Sequence, residues 1–168
     1  MKFTDRAAAG RALAGRLQHY AGRDNTLVLA LPPGGVPVAV EVARNLEAPL
    51  DVLLARKLPA ELGVPPGAVT QRIVILVDDG LASGATMRAA AAAVRRLQAR
   101  RIVIALPVAA AGTCAALRGE VDELLCLRDL AQGRSVEDGY EDFSLPSDEQ
   151  LCRLLRNGTC SRAPHEPS

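Results

Sequence analysis

Short apolar runs alternate with helix-like segments along this chain, and this alternation constrains the fold more than any other sequence feature. Five runs have the length and composition of strands: residues 26–31, 51–55, 73–77, 102–107 and 121–127. The intervening and flanking segments favour helices at about 5–20, 38–46, 86–101, 112–118 and 147–156. Strands separated by helices form parallel sheets covered on both faces. The sequence therefore predicts an α/β fold, with three α/β/α layers around a five-stranded, mostly parallel sheet.

The composition is that of one folded domain. The 168 residues are 49% hydrophobic, which is enough for a substantial core. Only 2% are aromatic, so the core must be built from Ala, Val, Leu and Ile, as buried parallel strands and close-packed helices usually are. We expect residues 1–157 to form this domain. Residues 158–168 are rich in turn formers, and we expect them to be a disordered tail.

Charge and hydropathy argue against two classes of partner. The net charge of +1 gives no general attraction to nucleic acid or to a membrane surface. The arginines near the end of the helix predicted at 86–101 (95, 96, 100 and 101) fit a solvated helix end better than an RNA-binding face. The first residues form no apolar signal region, and no apolar run is long enough to cross a bilayer. We therefore expect a cytoplasmic protein.

The cysteines carry no recognisable metal or redox motif. Cys114, Cys126, Cys152 and Cys160 show no CxxC spacing and have no His nearby in the sequence. Their spacing therefore predicts ordinary thiols.

The third predicted strand leads directly into residue types suited to ligand binding. It is followed by two acids, Asp78 and Asp79, and then by a small-residue turn where a helix should begin: Ala82, Ser83, Gly84, Ala85 and Thr86. Backbone N–H groups at a helix N-terminus suit a phosphate, whereas paired carboxylates suit sugar hydroxyls or a hydrated metal ion. Adjacent acids at a buried strand end repel each other, which favours a ligand role over a simple capped turn.

This stretch resembles the motif by which type I phosphoribosyltransferases bind 5-phosphoribosyl-1-pyrophosphate (PRPP): an apolar strand, two acids, two apolar positions and a Ser/Thr-Gly-x-Thr turn. Residues 29–37 resemble the pyrophosphate loop of that family. Residues 51–57 and 140–143 resemble a bacterial subgroup of uncharacterised members, and the similarity extends from residue 3 to about 156. It implies transfer of 5-phosphoribose from PRPP to a nitrogenous base with release of pyrophosphate, a Mg²⁺ requirement, a reduced version of the family's base-covering hood and the homodimer that is common in the family.

The resemblance also assigns roles to the PRPP-binding residues of this chain. Asp78 and Asp79 would bind the ribose 2′- and 3′-hydroxyls, and residues 82–86 would hold the 5′-phosphate. Mg²⁺ would lie near the two acids, bridging pyrophosphate and ribose oxygens mainly through ligand and water.

Two further groups of residues are assigned in the same way. Gly34 and Gly35, which follow Pro33, would offer N–H groups to pyrophosphate, and Arg56 and Lys57 could neutralise its charge or form a solvated pair. In the late segment, either Tyr140 or Phe143 could stack on a base; alternatively, both could pin this segment to the core.

Three departures from the family pattern bear on activity. Pro33 predicts a cis Pro32–Pro33 bond, because an X–Pro bond loses much of the trans preference, but it removes an N–H donor. Ala82 stands where purine-type members often carry an Asp that assists the base nitrogen, which weakens a 6-oxopurine assignment. The segment 58–72 is shorter than its counterpart in the bacterial subgroup. In the family, this region carries the loop that closes over PRPP.

These departures keep a second function open, namely a regulatory protein that binds PRPP or a nucleotide without turnover. A third class, the phospho-acceptor receiver, is disfavoured because receivers place their acid pair after the first strand.

Overall fold

Five parallel strands form one sheet in the computed structural model, which describes residues 2–53 and 66–158. The order across the sheet is β2-β1-β3-β4-β5, so β3 lies at the centre and pairs with β1 and β4. The strands are β1 (Thr26–Ala30), β2 (Leu50–Val52), β3 (Ile73–Val77), β4 (Arg101–Ala109) and β5 (Glu123–Asp129). The predicted α/β class is confirmed, and the described sheet is entirely parallel.

Helices cover both faces of the sheet. They are α1 (Arg6–Arg16), α2 (Gly35–Leu46), α3 (Ala85–Arg96), α4 (Thr113–Arg118) and α5 (Asp148–Gly158), with short 3₁₀ turns at Gln18–Tyr20, Pro66–Ala68 and Val136–Gly139. Helices α3 and α4 pack on one face, and α1, α2 and α5 pack on the other. The predicted Ser-x-x-Gln capping box is formed, since Gln150 N–H donates to Ser147 Oγ and Ser147 N–H donates to Gln150 Oε1.

The core is aliphatic, as the low aromatic content predicts. All residues of β1 and β3 are buried on both faces, as expected for central strands of a covered parallel sheet. Helices α1 and α2 approach closely because Gly10 lies at their contact. A Cβ on Gly10 would fall 2.4 Å from the Val38 carbonyl oxygen and 2.8 Å from Glu41 Cβ.

Several predicted element boundaries were wrong. The first helix ends at Arg16 rather than near residue 20, and a separate 3₁₀ turn follows it. The helix predicted to continue to residue 101 ends at Arg96, because Arg101 begins β4 and pairs with Ile73. Strand β4 continues past Pro107 to Ala109, since Pro107 lies beyond the last β4 residue that pairs with β3, Ala105.

Some predictions fall on residues outside the described ranges. These are Arg56 and Lys57, residues 58–65 of the shortened segment, and residues 159–168 of the predicted tail. Gly158, the first residue of the predicted tail, instead ends α5. Within the described chain, no helix combines the length and the apolar character that a membrane span requires.

Candidate functional site

Two strand-to-helix turns meet at the carboxyl edge of the sheet because β1 and β3 are parallel neighbours. The β1 turn contains the Pro32–Pro33 bond, which is cis as the sequence predicted. Leu31, the first residue of this turn, is hydrogen-bonded to β3, because its N–H donates to the Val77 carbonyl oxygen at 2.9 Å. Ligands of open parallel sheets bind beyond this edge. The fold therefore brings the two predicted PRPP loops together.

The glycines of the β1 turn lie directly against the acid pair. A Cβ on Gly34 would fall 2.2 Å from Asp79 Oδ2, and a Cβ on Gly35 would fall 2.7 Å from the Val77 carbonyl oxygen and 3.0 Å from Asp78 Cα. Any larger residue would displace the carboxylates or the backbone. The Gly35 N–H donates to the Leu31 carbonyl oxygen at 2.8 Å, so this bond must open before Gly35 can donate to an anion.

Asp79 is held by a buried cation that the sequence analysis did not single out. Arg6, at the start of α1, donates through Nε to Asp79 Oδ2 at 3.0 Å, and its terminal nitrogen lies 2.9 Å from the same oxygen. The exposed fractions of the two side chains are 5% and 16%. The missed signal was positional, because Arg6 lies on the same helical stripe as the buried Gly10 and Leu13.

Arg6 also joins the acid pair to the late segment of the chain. It donates to the carbonyl oxygens of Phe143 and Ser144 at 3.2 and 3.0 Å. Its guanidinium carbon lies 4.0 Å from the centroid of the Phe143 ring, a cation–π distance. One side chain from the first helix therefore fixes both an acid at the sheet edge and the segment that follows β5.

Asp78, the first of the two acids, is half-buried at the end of β3. Its Oδ1 accepts the Asp79 backbone N–H at 2.7 Å. Burial, and next the negative charge of Asp79, raise the pKa of Asp78 well above the ordinary carboxyl range. A hydroxyl donor or a cation placed beside this carboxyl would stabilise its charged form, and a perturbed acid that lines a cavity is a candidate binding group.

The two aromatic residues of the late segment differ in accessibility. Tyr140 is only 3% exposed, packs against Phe3 and Phe143, and donates its hydroxyl to the Asp79 carbonyl oxygen. Of the two roles considered for Tyr140, this geometry fits pinning and leaves no ring face for a base. Phe143 lines the site cavity, and its stacking on a base stays a prediction.

The β3 turn forms the other side of the site. Gly84 has a φ of 86°, which favours glycine, and α3 begins at the next residue, Ala85. Ser83 Oγ accepts the Ala85 N–H at 3.3 Å, and the Thr113 hydroxyl donates to the Ala82 carbonyl oxygen at 3.0 Å. A cavity of about 260 Å³ is bordered by residues 78–87, Val136 and Phe143, so the predicted phosphate loop and both acids line one space.

The donor set at this edge fits a hydrated Mg²⁺ ion. Two adjacent carboxylates are the oxygen ligands such an ion prefers, and both line the cavity beside the turn after β3. Asp78 and Asp79 are the residues that would hold the ion, directly or through water.

The structure is thus a parallel α/β sheet whose carboxyl edge, where ligands of open parallel sheets bind, carries paired acids and a helix-initiating small-residue turn. The chain belongs to the phosphoribosyl transferase domain family, whose model matches residues 3–136. A relative in Mycobacterium tuberculosis CDC 1551, whose name gives the activity phosphoribosyl transferase provisionally, is 34% identical over 91% of this chain and 46% of its own length. This chain thus spans about half the length of that relative. The alignment of 205 positions exceeds the 168 residues of this chain, so the relative contains residues that this chain lacks.

Solved structures give the same result for the fold. The protein TT1426 from Thermus thermophilus superposes with a TM-score of 0.80 at 31% identity, covering 95% of this chain and all of that one. A purine phosphoribosyltransferase from Pyrococcus horikoshii superposes with a TM-score of 0.58 at 22% identity, over 84% of this chain and 91% of its own, and shares the fold. The predicted family and type I fold are therefore confirmed.

Proposed function

We propose that this protein transfers 5-phosphoribose from PRPP to a nitrogenous base and releases pyrophosphate, with Mg²⁺ as cofactor. The observation that carries the proposal is the position of the acid pair, which lies between the glycine turn after β1 and the helix-initiating turn after β3. PRPP carries a phosphate on one side of the ribose hydroxyls and a pyrophosphate on the other. The edge of the sheet carries the acid pair, with one candidate anion-binding turn on each side of it.

The proposed binding mode follows this arrangement. Asp78 and Asp79 accept the ribose hydroxyls, and the backbone of residues 82–86, at the N-terminus of the twelve-residue α3, binds the 5′-phosphate. The turn from Pro33 to Gly35 faces the pyrophosphate, where Gly34 contacts the Asp79 carboxylate. Arg56 and Lys57 are proposed to neutralise the leaving group.

The chemistry requires charge stabilisation more than proton transfer. As the bond from ribose C1 to pyrophosphate breaks, positive charge develops on the ribose, and the two carboxylates beneath it are already oriented to stabilise that charge. Arg6 and Tyr140 hold Asp79 in place by contacts to its carboxylate and its carbonyl oxygen. Bound Mg²⁺ would supply charge neutralisation of the pyrophosphate oxygens.

A second candidate is a regulatory protein that binds PRPP or a nucleotide without turnover. Three observations favour it: Pro33 has no N–H, the Gly35 N–H is bonded to Leu31, and Ala82 cannot transfer a proton. In either case we propose a cytoplasmic protein, and a homodimer is proposed on the family resemblance alone.

Calorimetric titration with PRPP and Mg²⁺, followed by a pyrophosphate-release assay with a panel of purine and pyrimidine bases, separates the two candidates. Release with at least one base supports the transferase, and tight binding without release for any base supports the regulator. Failure to bind PRPP overturns the transferase, and failure to bind PRPP or any of a panel of nucleotides overturns the regulator as well.

Matched Asp→Asn variants then test the site itself. Asp78→Asn is expected to bind PRPP about tenfold to a hundredfold more weakly, the loss of charge-assisted hydrogen bonds. Asp24→Asn, an exposed acid before β1, is the control with the same charge change and is expected to bind as the native chain does. Equal affinity of native and Asp78→Asn chains would refute the role of Asp78.

A further inference from the structure

The fold brings together two cysteines and an acid that the sequence spacing leaves apart. Cys114 lies on α4, Cys126 lies within the edge strand β5, and Asp129 ends that strand. One ligand atom from each, two Sγ atoms and a carboxylate oxygen, lie within 4.8 Å of one another. These residues are outside the cavity beside the acid pair, and the phosphoribosyl chemistry does not use them.

One distance in this group can be compared directly with the geometry of a tetrahedral metal site. With Zn–S bonds of about 2.3 Å and a Zn–O bond of about 2.1 Å, ligand atoms on a tetrahedron are separated by about 3.8 Å (S to S) and about 3.6 Å (S to O). The observed distance from Cys126 Sγ to Asp129 Oδ1 is 3.9 Å. A shift of a few tenths of an ångström would therefore bring Cys126 and Asp129 to coordination spacing, and with all three atoms within 4.8 Å of one another a shift of at most about 1 Å would include Cys114.

We propose that Cys114, Cys126 and Asp129 bind a thiophilic divalent cation of the Zn²⁺ type, with water as the fourth ligand. Two thiolates select against Mg²⁺ and Ca²⁺, which prefer oxygen ligands, so this site is chemically distinct from the acid pair at the sheet edge. Cys114 is 4% exposed and closes the inner side of the site, whereas Asp129 is exposed and leaves a path for the ion.

The site has a structural connection to the phosphate loop through α4. Thr113, adjacent to Cys114, donates its hydroxyl to the Ala82 carbonyl oxygen. A Cβ on Gly84 would fall 3.2 Å from Thr113 Cγ2 and 3.6 Å from Leu117 Cδ1, so α4 packs directly under the loop. A metal ion that ties α4 to β5 would therefore steady the support of this loop.

Titration of the reduced 168-residue chain with Co²⁺, followed by competition with Zn²⁺, tests the proposal directly. Thiolate-bound Co²⁺ gives sulfur-to-metal charge-transfer absorption that carboxylate sites do not give. The native chain is expected to bind a single Co²⁺ ion with this absorption, to lose the absorption when Zn²⁺ is added, and to show a higher thermal midpoint with Zn²⁺. Absence of charge-transfer absorption in the native chain would overturn the proposal.

Serine variants supply the controls. Cys114→Ser and Cys126→Ser should each weaken Co²⁺ binding by more than the roughly 100-fold that loss of an outer-shell partner costs. The double variant Cys152→Ser/Cys160→Ser should bind Co²⁺ as the native chain does. If this control lost the charge-transfer absorption while Cys114→Ser and Cys126→Ser kept it, the proposed site would be refuted. Because Cys126 is half-buried at a sheet edge, its variant keeps the test valid if Cys114→Ser fails to fold. The readout does not involve PRPP, so it is independent of the proposed transferase activity.

Discussion

The ion pair between Arg6 and Asp79 gives the sharpest test of how the site is held. Replacing Arg6 by Met keeps most of the side-chain volume but leaves the Asp79 carboxylate without its cation in a place where water reaches little of it. The exposed fractions of 5% and 16% put the pair in the buried class, for which removal of one partner costs about 3–5 kcal/mol of unfolding free energy. For a domain of this size, that loss lowers the thermal midpoint by roughly 6–20 °C.

A double-mutant cycle separates this charge effect from simple loss of packing. In Arg6→Met/Asp79→Asn both charges of the pair are removed together, so the lost stability should fall to about 1–2 kcal/mol, the contribution of the hydrogen bonds that Arg6 makes to the Phe143 and Ser144 carbonyl oxygens. The double variant should therefore be more stable than Arg6→Met alone. Urea unfolding followed by circular dichroism measures all four corners of the cycle.

The control lies on the same helix. Arg11, whose side chain is 59% exposed, faces Glu41 at 3.9 Å, and Arg11→Met should cost less than about 1 kcal/mol. Effects of Arg6→Met and Asp79→Asn that add to within about 0.5 kcal/mol would mean that the two side chains are not coupled, and the reasoning would be refuted.

Three further predictions concern stability. Gly10→Ala should destabilise the folded chain by about 1–3 kcal/mol because its Cβ would collide with the Val38 carbonyl oxygen. Gly15→Ala on the same helix meets nothing within 4 Å and should stabilise the folded chain by about 0.5–1 kcal/mol. Thermal unfolding of both variants shows whether the midpoint falls for the first and rises for the second. Because burial raises the pKa of Asp78, the folded state binds this proton more tightly than the unfolded chain, so the free energy of unfolding should fall as pH rises from about 4 through the raised folded pKa. Asp78→Asn should flatten this pH profile and be the more stable protein at neutral pH, and an unchanged profile from urea unfolding at several pH values would contradict this. Tyr140→Phe should lose about 0.5–1.5 kcal/mol in the same assay, since it removes the bond to the Asp79 carbonyl oxygen, and an equally stable variant would show that this bond contributes nothing.

The parts of the fold that sequence could predict are those in which local pattern and burial agree. Strand β3 and the turn after it were found because an uninterrupted apolar run ends in two acids, a pattern that packing alone does not favour. The cis bond before Pro33 was found because the chemistry of that bond is local.

The parts that sequence could not predict depend on contacts between distant segments. Nothing near Arg6 marks it as the partner of Asp79, because the pairing depends on how α1 crosses the end of the sheet. The proximity of Cys114 to Cys126 has the same origin, since it follows from the packing of α4 on β5 and not from spacing. The predicted helix end at residue 101 was wrong for a related reason. Arg101 pairs with Ile73 in the sheet, and this strand pairing overrides the helical preference of the preceding arginines.

The meeting of Arg6, Asp79 and the backbone at Phe143 and Ser144 also has a consequence for biosynthesis. These groups come from the beginning, the middle and the late part of the chain, and a chain emerges from the ribosome in that order. A nascent chain that ends before Tyr140 contains the residues of β1, β3 and α1, but it lacks the hydroxyl that bonds the Asp79 carbonyl oxygen and the carbonyl groups that accept from Arg6. The site is thus completed only after Ser144 has been synthesised, and a shorter product would lack the contacts that hold Arg6 and Asp79.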